Sequence, residues 1–249
     1  HYPSDVLYGK LLGEMLANIF LSENENCFDK MLKVNLGRKD EKLLSKYLQD
    51  IAFQKFKTSK NPIESIAKEF SEFLCTSNKI EGINLNHKQC HNACKKFIRG
   101  YPIDDCTNNL HVRSSLKALC MAHKVKDINS PYTNFAIHKC FDKEILEKGE
   151  PGMLRYFESN AKYGNEYSKP KDIFKHLEAL KKAKNPFLKH IIFEWIHPFC
   201  DGNGRTGRLT LLVDTDYDFE KVNSFCSNKY LENFYRFVDK HINIENILS

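Results

Sequence analysis

The sequence has 249 residues, of which 41% are hydrophobic and 28% are charged, as in soluble globular proteins and unlike disordered chains. Its 38 Lys and Arg residues outnumber its 32 Asp and Glu residues and give a mild net charge of +6 that is spread along the chain. Nucleic-acid binding would require a denser basic patch with aromatic stacking residues, so nucleic acid is not an expected partner.

The apolar runs and the cysteines predict a cytoplasmic protein. No run approaches the length of a membrane span, so no membrane partner is expected, and no signal peptide is visible. The nine cysteines are scattered without a regular framework in a chain that is large enough to bury a core. We therefore expect reduced thiols and a cytoplasmic location.

The first third of the chain predicts helices. Apolar residues recur at helical spacing over Val6–Ile19 and again over Leu43–Phe53. Asn61-Pro62 predicts the start of a third helix, because asparagine caps helices and proline is favoured at the first helical position. Gly82 is predicted to end that helix.

Four potential zinc ligands follow on one predicted helix: His87, Cys90, His91 and Cys94, at positions i, i+3, i+4 and i+7. A single helical stripe cannot surround an ion tetrahedrally, so a bound zinc ion would need ligands from elsewhere. A half-buried helix face is the favoured interpretation.

The middle of the chain predicts further helices with one interruption. Helical patterns cover Leu110–Lys126, Phe135–Leu146, Asp172–Ala183 and Phe187–Ile196. Between the second and the third of these, residues 155–167 mix aromatic and small polar residues around a Gly-Asn turn signal. This composition predicts a short hairpin.

The stretch from Ile196 to Arg208 reads I-H-P-F-C-D-G-N-G-R-T-G-R and lies between two apolar segments. Its three glycines allow tight turns and a close approach of the backbone to a ligand. Asp201 or Asn203 can cap a following helix, whose first amides would favour an anion. Arg205 and Arg208 would share one face of that helix, and two guanidiniums beside a helix N-terminus indicate a polyphosphate site.

The spacing excludes two common phosphate-binding loops. A Walker A loop requires Lys followed by Ser or Thr, and a dinucleotide-binding loop follows a strand, whereas the segment before this loop is predicted to be helical. The predicted arrangement is therefore a helix, an anion-binding loop and a second helix. His197 lies at the loop entrance, where it can act as a base, and Asp201 is a hard oxygen ligand that suits Mg²⁺ bridging phosphates.

This stretch, the signature loop over 197–208, resembles the signature of the Fic family. All nine specified positions match, and they are His197, Pro198, Phe199, Asp201, Gly202, Asn203, Gly204, Arg205 and Arg208. The resemblance implies an all-α fold, a helical bundle with a short β-hairpin flap, and transfer of AMP from ATP to a Ser, Thr or Tyr hydroxyl of a target protein. It implies that His197 is the base and that Asp201 binds Mg²⁺ or Mn²⁺. The residues that would bind the nucleotide phosphates are Gly202, Asn203, Gly204, Arg205 and Arg208.

A second motif, Ser77-x-x-x-Glu81-Gly82, is similar to the inhibitory motif of Fic proteins. Its position before the signature implies the subgroup whose inhibitory helix precedes the core, here over about 62–82. The P-G-x-x-R start at 151–155 and its position before the signature resemble the start of the Fic flap, which holds a target protein by strand addition, and residues 154–168 correspond to that flap.

The resemblance divides the chain into three predicted regions. They are an N-terminal helical region (1–109), a Fic core (110–215) and a C-terminal helical segment (216–249). The acidic run Asp214–Asp218 predicts either an early end of the helix after the signature or residues missing at that point, and Tyr230–His241 predicts a terminal helix.

Three functions remain open at the level of sequence. The leading prediction is an adenylyltransferase that Glu81 inhibits, with a protein target at the flap or with itself as the target. The same site would also serve a hydrolase that removes AMP from a modified protein, with Glu81 aligning water. The third is a nucleotide-binding interaction module with little turnover.

Overall fold

The computed structural model of the protein describes residues 34–127, 131–158 and 167–226. The predicted all-α fold is confirmed, because these residues form ten α-helices, two short 3₁₀ turns and one isolated β-bridge. The helices are α1 Arg38–Lys55, α2 Pro62–Ile80, α3 His87–Ile98, α4 Ile103–Cys106, α5 Leu110–Val125, α6 Thr133–His138, α7 Ile173–Leu180, α8 Pro186–Ile196, α9 Asn203–Asp214 and α10 Phe219–Phe225. The 3₁₀ turns are Lys143–Ile145 and Pro170–Asp172.

Three predicted features lie outside the described residues: the helix over Val6–Ile19, the turn of the hairpin near Gly164 and the helix over Tyr230–His241. Among the helices that the structure describes, none combines the length and the apolar character that a membrane span requires.

The start of α2 follows the sequence prediction. The side chain of Asn61 accepts a hydrogen bond from the Glu64 amide at 3.2 Å, and Pro62 occupies the first turn. The helix then buries one apolar face, which contains Ile66, Ala67, Phe70, Phe73 and Leu74.

The end of α2 is a turn that depends on glycine. Gly82 has a φ of 79°, which lets the Ile83 amide reach the Asn78 carbonyl at 3.0 Å and the Gly82 amide reach the Lys79 carbonyl at 2.9 Å. These two hydrogen bonds form a Schellman motif. Gly82 thus ends the helix, as predicted, and Glu81 is its C-cap residue.

Two apolar clusters hold the bundle together. The larger one joins buried side chains of α1–α6, α9 and α10, and the smaller one joins α7 and α8 with Leu154 and Phe199. α9 contacts both α2 and α8. It therefore lies between the helix that carries Glu81 and the helix that leads to His197.

The predicted helix over Phe135–Leu146 is wrong. α6 ends at His138, and the chain turns into the 3₁₀ segment Lys143–Ile145. A contact with α5 stabilises this turn, since the carboxylate of Asp142 accepts a hydrogen bond from the hydroxyl of Ser114 at 2.8 Å. Local periodicity carries no information about a contact between residues 28 positions apart.

α9 ends at Asp214 in the acidic run, which agrees with the first of the two predicted alternatives, an early end of this helix. Asp216 and Tyr217 then adopt positive φ angles of 54° and 61° and reverse the chain. The Tyr217 hydroxyl shares a hydrogen bond of 2.8 Å with Nδ1 of His123 on α5, which fixes this turn to the core before α10 begins.

Candidate active site

His197 ends α8 at the entrance of the signature loop. Its amide donates to the Phe193 carbonyl at 3.0 Å, and its backbone is left-handed, with φ 48° and ψ 59°. Residues other than glycine rarely adopt this conformation, and such strain is concentrated at functional sites.

Arg155 holds this turn, a role that the sequence did not predict. Its buried guanidinium donates from Nε to the His197 carbonyl at 2.6 Å and from Nη2 to the Ile196 carbonyl at 3.2 Å. It also donates to the carbonyls of Phe157 and Ser168, which lie at the two ends of the flap segment. One side chain therefore satisfies carbonyls at the C-terminus of α8 and ties the flap to that helix. The sequence feature that could have indicated this role is the P-G-x-x-R start, of which Arg155 is the last residue.

The start of the flap pairs with the signature loop. Leu154 and Phe199 form an antiparallel bridge, and the Arg155 amide donates to the Pro198 carbonyl at 2.9 Å. The turn of the flap lies outside the described residues, so pairing between its two arms stays a prediction.

The imidazole of His197 is neutral at physiological pH. Burial, followed by the positive charge of Arg155, lowers the pKa of His197 to about 4. Its Nδ1 faces the carbonyl oxygen of Glu194 at 3.3 Å, and because a carbonyl oxygen only accepts, Nδ1 carries the proton. The free lone pair is therefore on Nε2, which can accept a proton from a substrate.

Asn203 fixes the shape of the loop. Its side-chain oxygen accepts from the Phe199 amide and its side-chain nitrogen donates to the Phe199 carbonyl, both at 2.8 Å. The predicted helix cap is wrong, because α9 begins after Gly202, which has a φ of 75°, and no described side chain caps it. With Asn203 engaged by Phe199, the N-terminus of α9 is left open to an anion.

His138 supports the loop from α6, and no sequence pattern pointed to it. Its Nε2 donates to the Asp201 carbonyl at 2.8 Å, while its Nδ1 accepts from the Gly152 amide at 2.7 Å. Burial lowers the pKa of His138 to about 4, so the ring is neutral with its proton on Nε2. The ring also stacks on Phe199 at 3.9 Å. Only the fold brings His138 and Asp201 together, because they are 63 positions apart.

Three donors orient the carboxylate of Asp201. Oδ2 accepts from the Glu147 amide at 2.9 Å and from Arg205 at 3.2 Å, and Oδ1 accepts from the Gly202 amide at 2.5 Å. A carboxylate has about four lone-pair positions, so Oδ1 can still bind one further ligand.

The sequence predicted two candidate metal sites, one for zinc on α3 and one for Mg²⁺ at Asp201. Within 34–127, 131–158 and 167–226, no group of three or more His, Cys, Asp or Glu side chains is arranged to hold a metal ion. Cys90 and Cys94 are instead buried in the core, which agrees with the favoured helix-face interpretation. Asp201 fits the kind of Mg²⁺ site in which one carboxylate acts together with substrate phosphates.

Arg205 is buried beneath the loop. Its guanidinium donates to the Ile145 carbonyl and to Asp201, each at 3.2 Å, and lies 5.2 Å from the ring centre of Phe141. Its Nε is buried and has no hydrogen-bond partner among the described residues. The side chain therefore keeps donor capacity for an anionic ligand.

Arg208 joins α9 to α2. Its Nε donates to the Ser77 hydroxyl and its Nη2 to the Ser77 carbonyl, both at 2.9 Å, and Nη2 also donates to the carboxylate of Glu81. The Arg208 side chain is 1% exposed and that of Glu81 is 27% exposed. Two residues of the predicted inhibitory motif are thus in contact with the last arginine of the signature.

The carboxylate of Glu81 lies against the first turn of α9. A Cβ on Gly204 would stand 2.2 Å from Oε1 of Glu81, so this contact requires glycine at position 204. Glu194 is a second acid near Arg208, but burial raises its pKa to about 8 and keeps it protonated at neutral pH. Glu81 is therefore the carboxylate that pairs with Arg208.

Fold and site define an all-helical protein in which a neutral histidine, a carboxylate and two buried guanidiniums surround a helix N-terminus. Residues 130–213 match the model of the Fic/DOC family, and this segment contains α6–α9 with the whole signature loop. This segment is therefore similar to Fic/DOC domains, and domains of this family are usually transferases. The search of curated proteins found no match. Ser77 and Glu81 lie on α2, outside the matched segment.

Proposed function

We propose that the chain transfers AMP from ATP to a Ser, Thr or Tyr hydroxyl of a target protein. The observation that carries this proposal is the uncapped N-terminus of α9 at Asn203, which has Arg205 and Arg208 beside it and follows a neutral His197 closely in the chain. The helix end and the guanidiniums suit a triphosphate, and the imidazole suits a hydroxyl nucleophile. The Fic/DOC match over 130–213 supports nucleotide transfer.

In the proposed reaction, Nε2 of His197 accepts the proton of the target hydroxyl. The hydroxyl oxygen forms a bond to the α-phosphorus of ATP, and the bond from that phosphorus to the oxygen that bridges to the β-phosphorus breaks. Pyrophosphate leaves, and AMP remains on the target as a phosphodiester. The low pKa of His197 suits this step, because the ring is unprotonated above about pH 4.

The phosphates of ATP would lie over the start of α9. The first amides of the helix and Arg205 would bind the α- and β-phosphates, and Arg208 would bind the γ-phosphate. The remaining lone pair of Asp201 would hold Mg²⁺ or Mn²⁺, which when bound neutralises phosphate charge. The side chain of Asn203 would contribute mainly by fixing the loop around Phe199.

We further propose that α2 is an inhibitory helix. The carboxylate of Glu81 pairs with Arg208 and lies against Gly204, where an anionic γ-phosphate would need the same donors. ATP would then bind only in a skewed pose that does not lead to transfer. Because Arg208 is buried, removal of its carboxylate partner should destabilise this contact strongly unless a phosphate takes the place of the carboxylate.

The flap is the proposed docking site of the target protein, through addition of a strand of the target. The described part of the flap region exposes three large apolar side chains, Met153, Tyr156 and Phe157. Such side chains would contact a bound target, and a second copy of the chain could take the same place in self-modification.

The test compares the full chain with its Glu81→Gly variant, using ATP labelled at the α-phosphate, Mg²⁺ and a cell lysate. We expect Glu81→Gly to label a protein at least ~10-fold faster, which corresponds to about 1.4 kcal/mol in the barrier. Glu72→Gly is the matched control, because it also removes an acid and adds a glycine to α2 but lies on the exposed side of the helix.

Equal labelling rates for the wild type and Glu81→Gly at saturating ATP would contradict inhibition by α2. Absence of label on any protein with both chains would contradict transfer. Release of label from a protein that already carries AMP would favour the hydrolase, and nucleotide binding alone would favour an interaction module.

A further inference from the structure

The ring of Tyr167 lies face to face with the imidazole of His197. Their ring centroids are 4.0 Å apart, and the planes differ by 2°. Tyr167 is half-buried and is the first described residue after the turn of the flap. The contact joins the end of the flap to the proposed base, and nothing in the spacing of the sequence predicted it.

The backbone next to Tyr167 is anchored to α8. The Ser168 amide donates to the Trp195 carbonyl at 3.2 Å, and the Ser168 carbonyl accepts from Arg155. The Ser168 hydroxyl shares a hydrogen bond of 2.7 Å with Nδ1 of His176. Ser168 is therefore held by its contacts with these three residues, and it fixes the backbone from which the Tyr167 ring extends.

The imidazole of His197 has a weak polar restraint of its own. The hydrogen bond from Nδ1 to the Glu194 carbonyl is long, at 3.3 Å, and one such bond does not define the plane of a ring. A parallel ring at van der Waals distance supplies the missing restraint and covers one face of the imidazole against water.

We propose that Tyr167 is a positioning residue that fixes the plane of the His197 imidazole and shields it from water. This inference rests on the proposed function, in which Nε2 of His197 accepts the hydroxyl proton. It also implies that a displacement of Tyr167 at the end of the flap would change the orientation of the His197 imidazole, because the two rings are in contact.

The electrostatic surroundings of His197 come from several elements, and the test must take them into account. Burial and the charge of Arg155 favour the neutral ring, whereas the Glu194 carbonyl, Glu81 and Asp201 favour the protonated one. Removal of the Tyr167 ring weakens the first of these influences, since it exposes the imidazole to water. The pKa of His197 should then rise from about 4 toward the ordinary value of 6.5.

The experiment uses the full chain with Glu81→Gly as the background and adds Tyr167→Leu, Tyr167→Gln or Tyr167→Phe. Leu and Gln remove the ring, and we expect kcat to fall at least ~10-fold with KM for ATP unchanged, because a small misplacement of a reacting group is costly. Phe keeps the ring and should restore kcat. Tyr101→Leu is the control, because Tyr101 is an exposed aromatic residue next to α4, away from the site.

A pH profile and an NMR titration separate the outcomes. In Tyr167→Leu, the acidic limb of kcat against pH should move to higher pH, and the Cε1 proton of His197 should titrate at a higher pH than in the Glu81→Gly chain that keeps Tyr167. Unchanged kcat, or an acidic limb that stays in place in both ring-removing variants, would overturn the proposal. The NMR titration needs no turnover, so a shifted His197 signal in a chain without transfer would support the contact and reject the proposed function.

Discussion

At the scale of single residues, burial decides the charge states on which the site depends. It lowers the pKa of His197 and His138 to about 4 and raises that of Glu194 to about 8. Two imidazoles are thereby neutral near pH 7, and one acid is uncharged. Each imidazole then has a defined tautomer, because its hydrogen-bond partner is a backbone carbonyl or amide.

We predict that His197→Ala abolishes transfer while ATP binding changes little. The imidazole is proposed to remove the hydroxyl proton, and a general base typically raises the rate ~10²–10⁴-fold. The proposed phosphate contacts begin only at Gly202, so they should persist in the variant. Labelled ATP measures both transfer and binding in the purified chain. His87→Ala, at an exposed histidine on α3, is the control. Both variants are made in the Glu81→Gly background, in which transfer is not inhibited, and transfer within a few-fold of that background would contradict the role of His197 as base.

We predict that transfer requires Mg²⁺ or Mn²⁺ and that Asp201→Asn removes most of it. Asparagine keeps the shape and can still accept from the Glu147 amide, so the change tests the charge rather than the loop geometry. The measurement is the transfer rate as a function of metal concentration in the Glu81→Gly background, with Asp50→Asn on α1 as an exposed control. Full activity in excess chelator would contradict a metal requirement.

At the scale of elements, α2 and α9 form the proposed inhibitory contact. α2 is tied to α9 through Ser77 and Glu81, and both pair with one guanidinium on Arg208. The Schellman motif at Gly82 ends the helix where the carboxylate meets Gly204. The strength of inhibition should therefore depend on how firmly the end of α2 is held.

We predict that Ser77→Ala raises basal transfer by about 3–10-fold, less than Glu81→Gly does. The change removes the hydroxyl that accepts from Nε of Arg208, and a hydrogen bond to a charged group contributes ~1.5–3 kcal/mol at most. The Ser77 carbonyl still accepts from Nη2, so part of the contact persists. Ser71→Ala on the same helix is the control, and equal rates for both variants would argue against a tether at Ser77.

At the scale of the whole molecule, buried ionisable groups link folding to pH. The pKa of His138 and His197 is lowered to about 4 and that of His190 to about 3, in each case mainly by burial. In the unfolded chain these three histidines bind protons as the pH falls below about 6.5, whereas in the folded chain they stay neutral until about pH 4 or lower. The free energy of unfolding therefore falls as the pH is lowered below 6.5. Glu194 has the opposite effect. In the unfolded chain it loses its proton near pH 4.5, and in the folded chain only near pH 8, so the free energy of unfolding falls as the pH rises between these values.

We predict that the free energy of unfolding falls when the pH is lowered from 6.5 to 5. Three histidines outweigh one glutamic acid, and each net proton contributes about 1.4 kcal/mol per pH unit at most. Urea unfolding at several pH values measures the slope. Glu194→Gln should remove the loss of stability above pH 6.5 and leave the acidic slope in place. A curve that is flat between pH 5 and 6.5 would contradict the prediction.

Local sequence by itself determined the features that depend on neighbouring residues. The start of α2 at Asn61-Pro62, its end at Gly82 and the early end of α9 at Asp214 follow from caps, turns and breaks in periodicity. The helix–loop–helix around the signature follows in the same way, since helical periodicity can be read in short windows, whereas the all-α fold was implied by the resemblance to the Fic family.

Only the tertiary structure decided which distant groups meet. His138, Arg155 and Tyr167 reach the signature loop through contacts that no short window encodes, and Asp142 ends a helix that periodicity had extended. The pairing of Glu81 with Arg208 also spans 127 positions, and the resemblance suggested it without its geometry. Burial depends on how all the elements pack, which is why the charge states of the site histidines follow from the fold and not from their sequence neighbours.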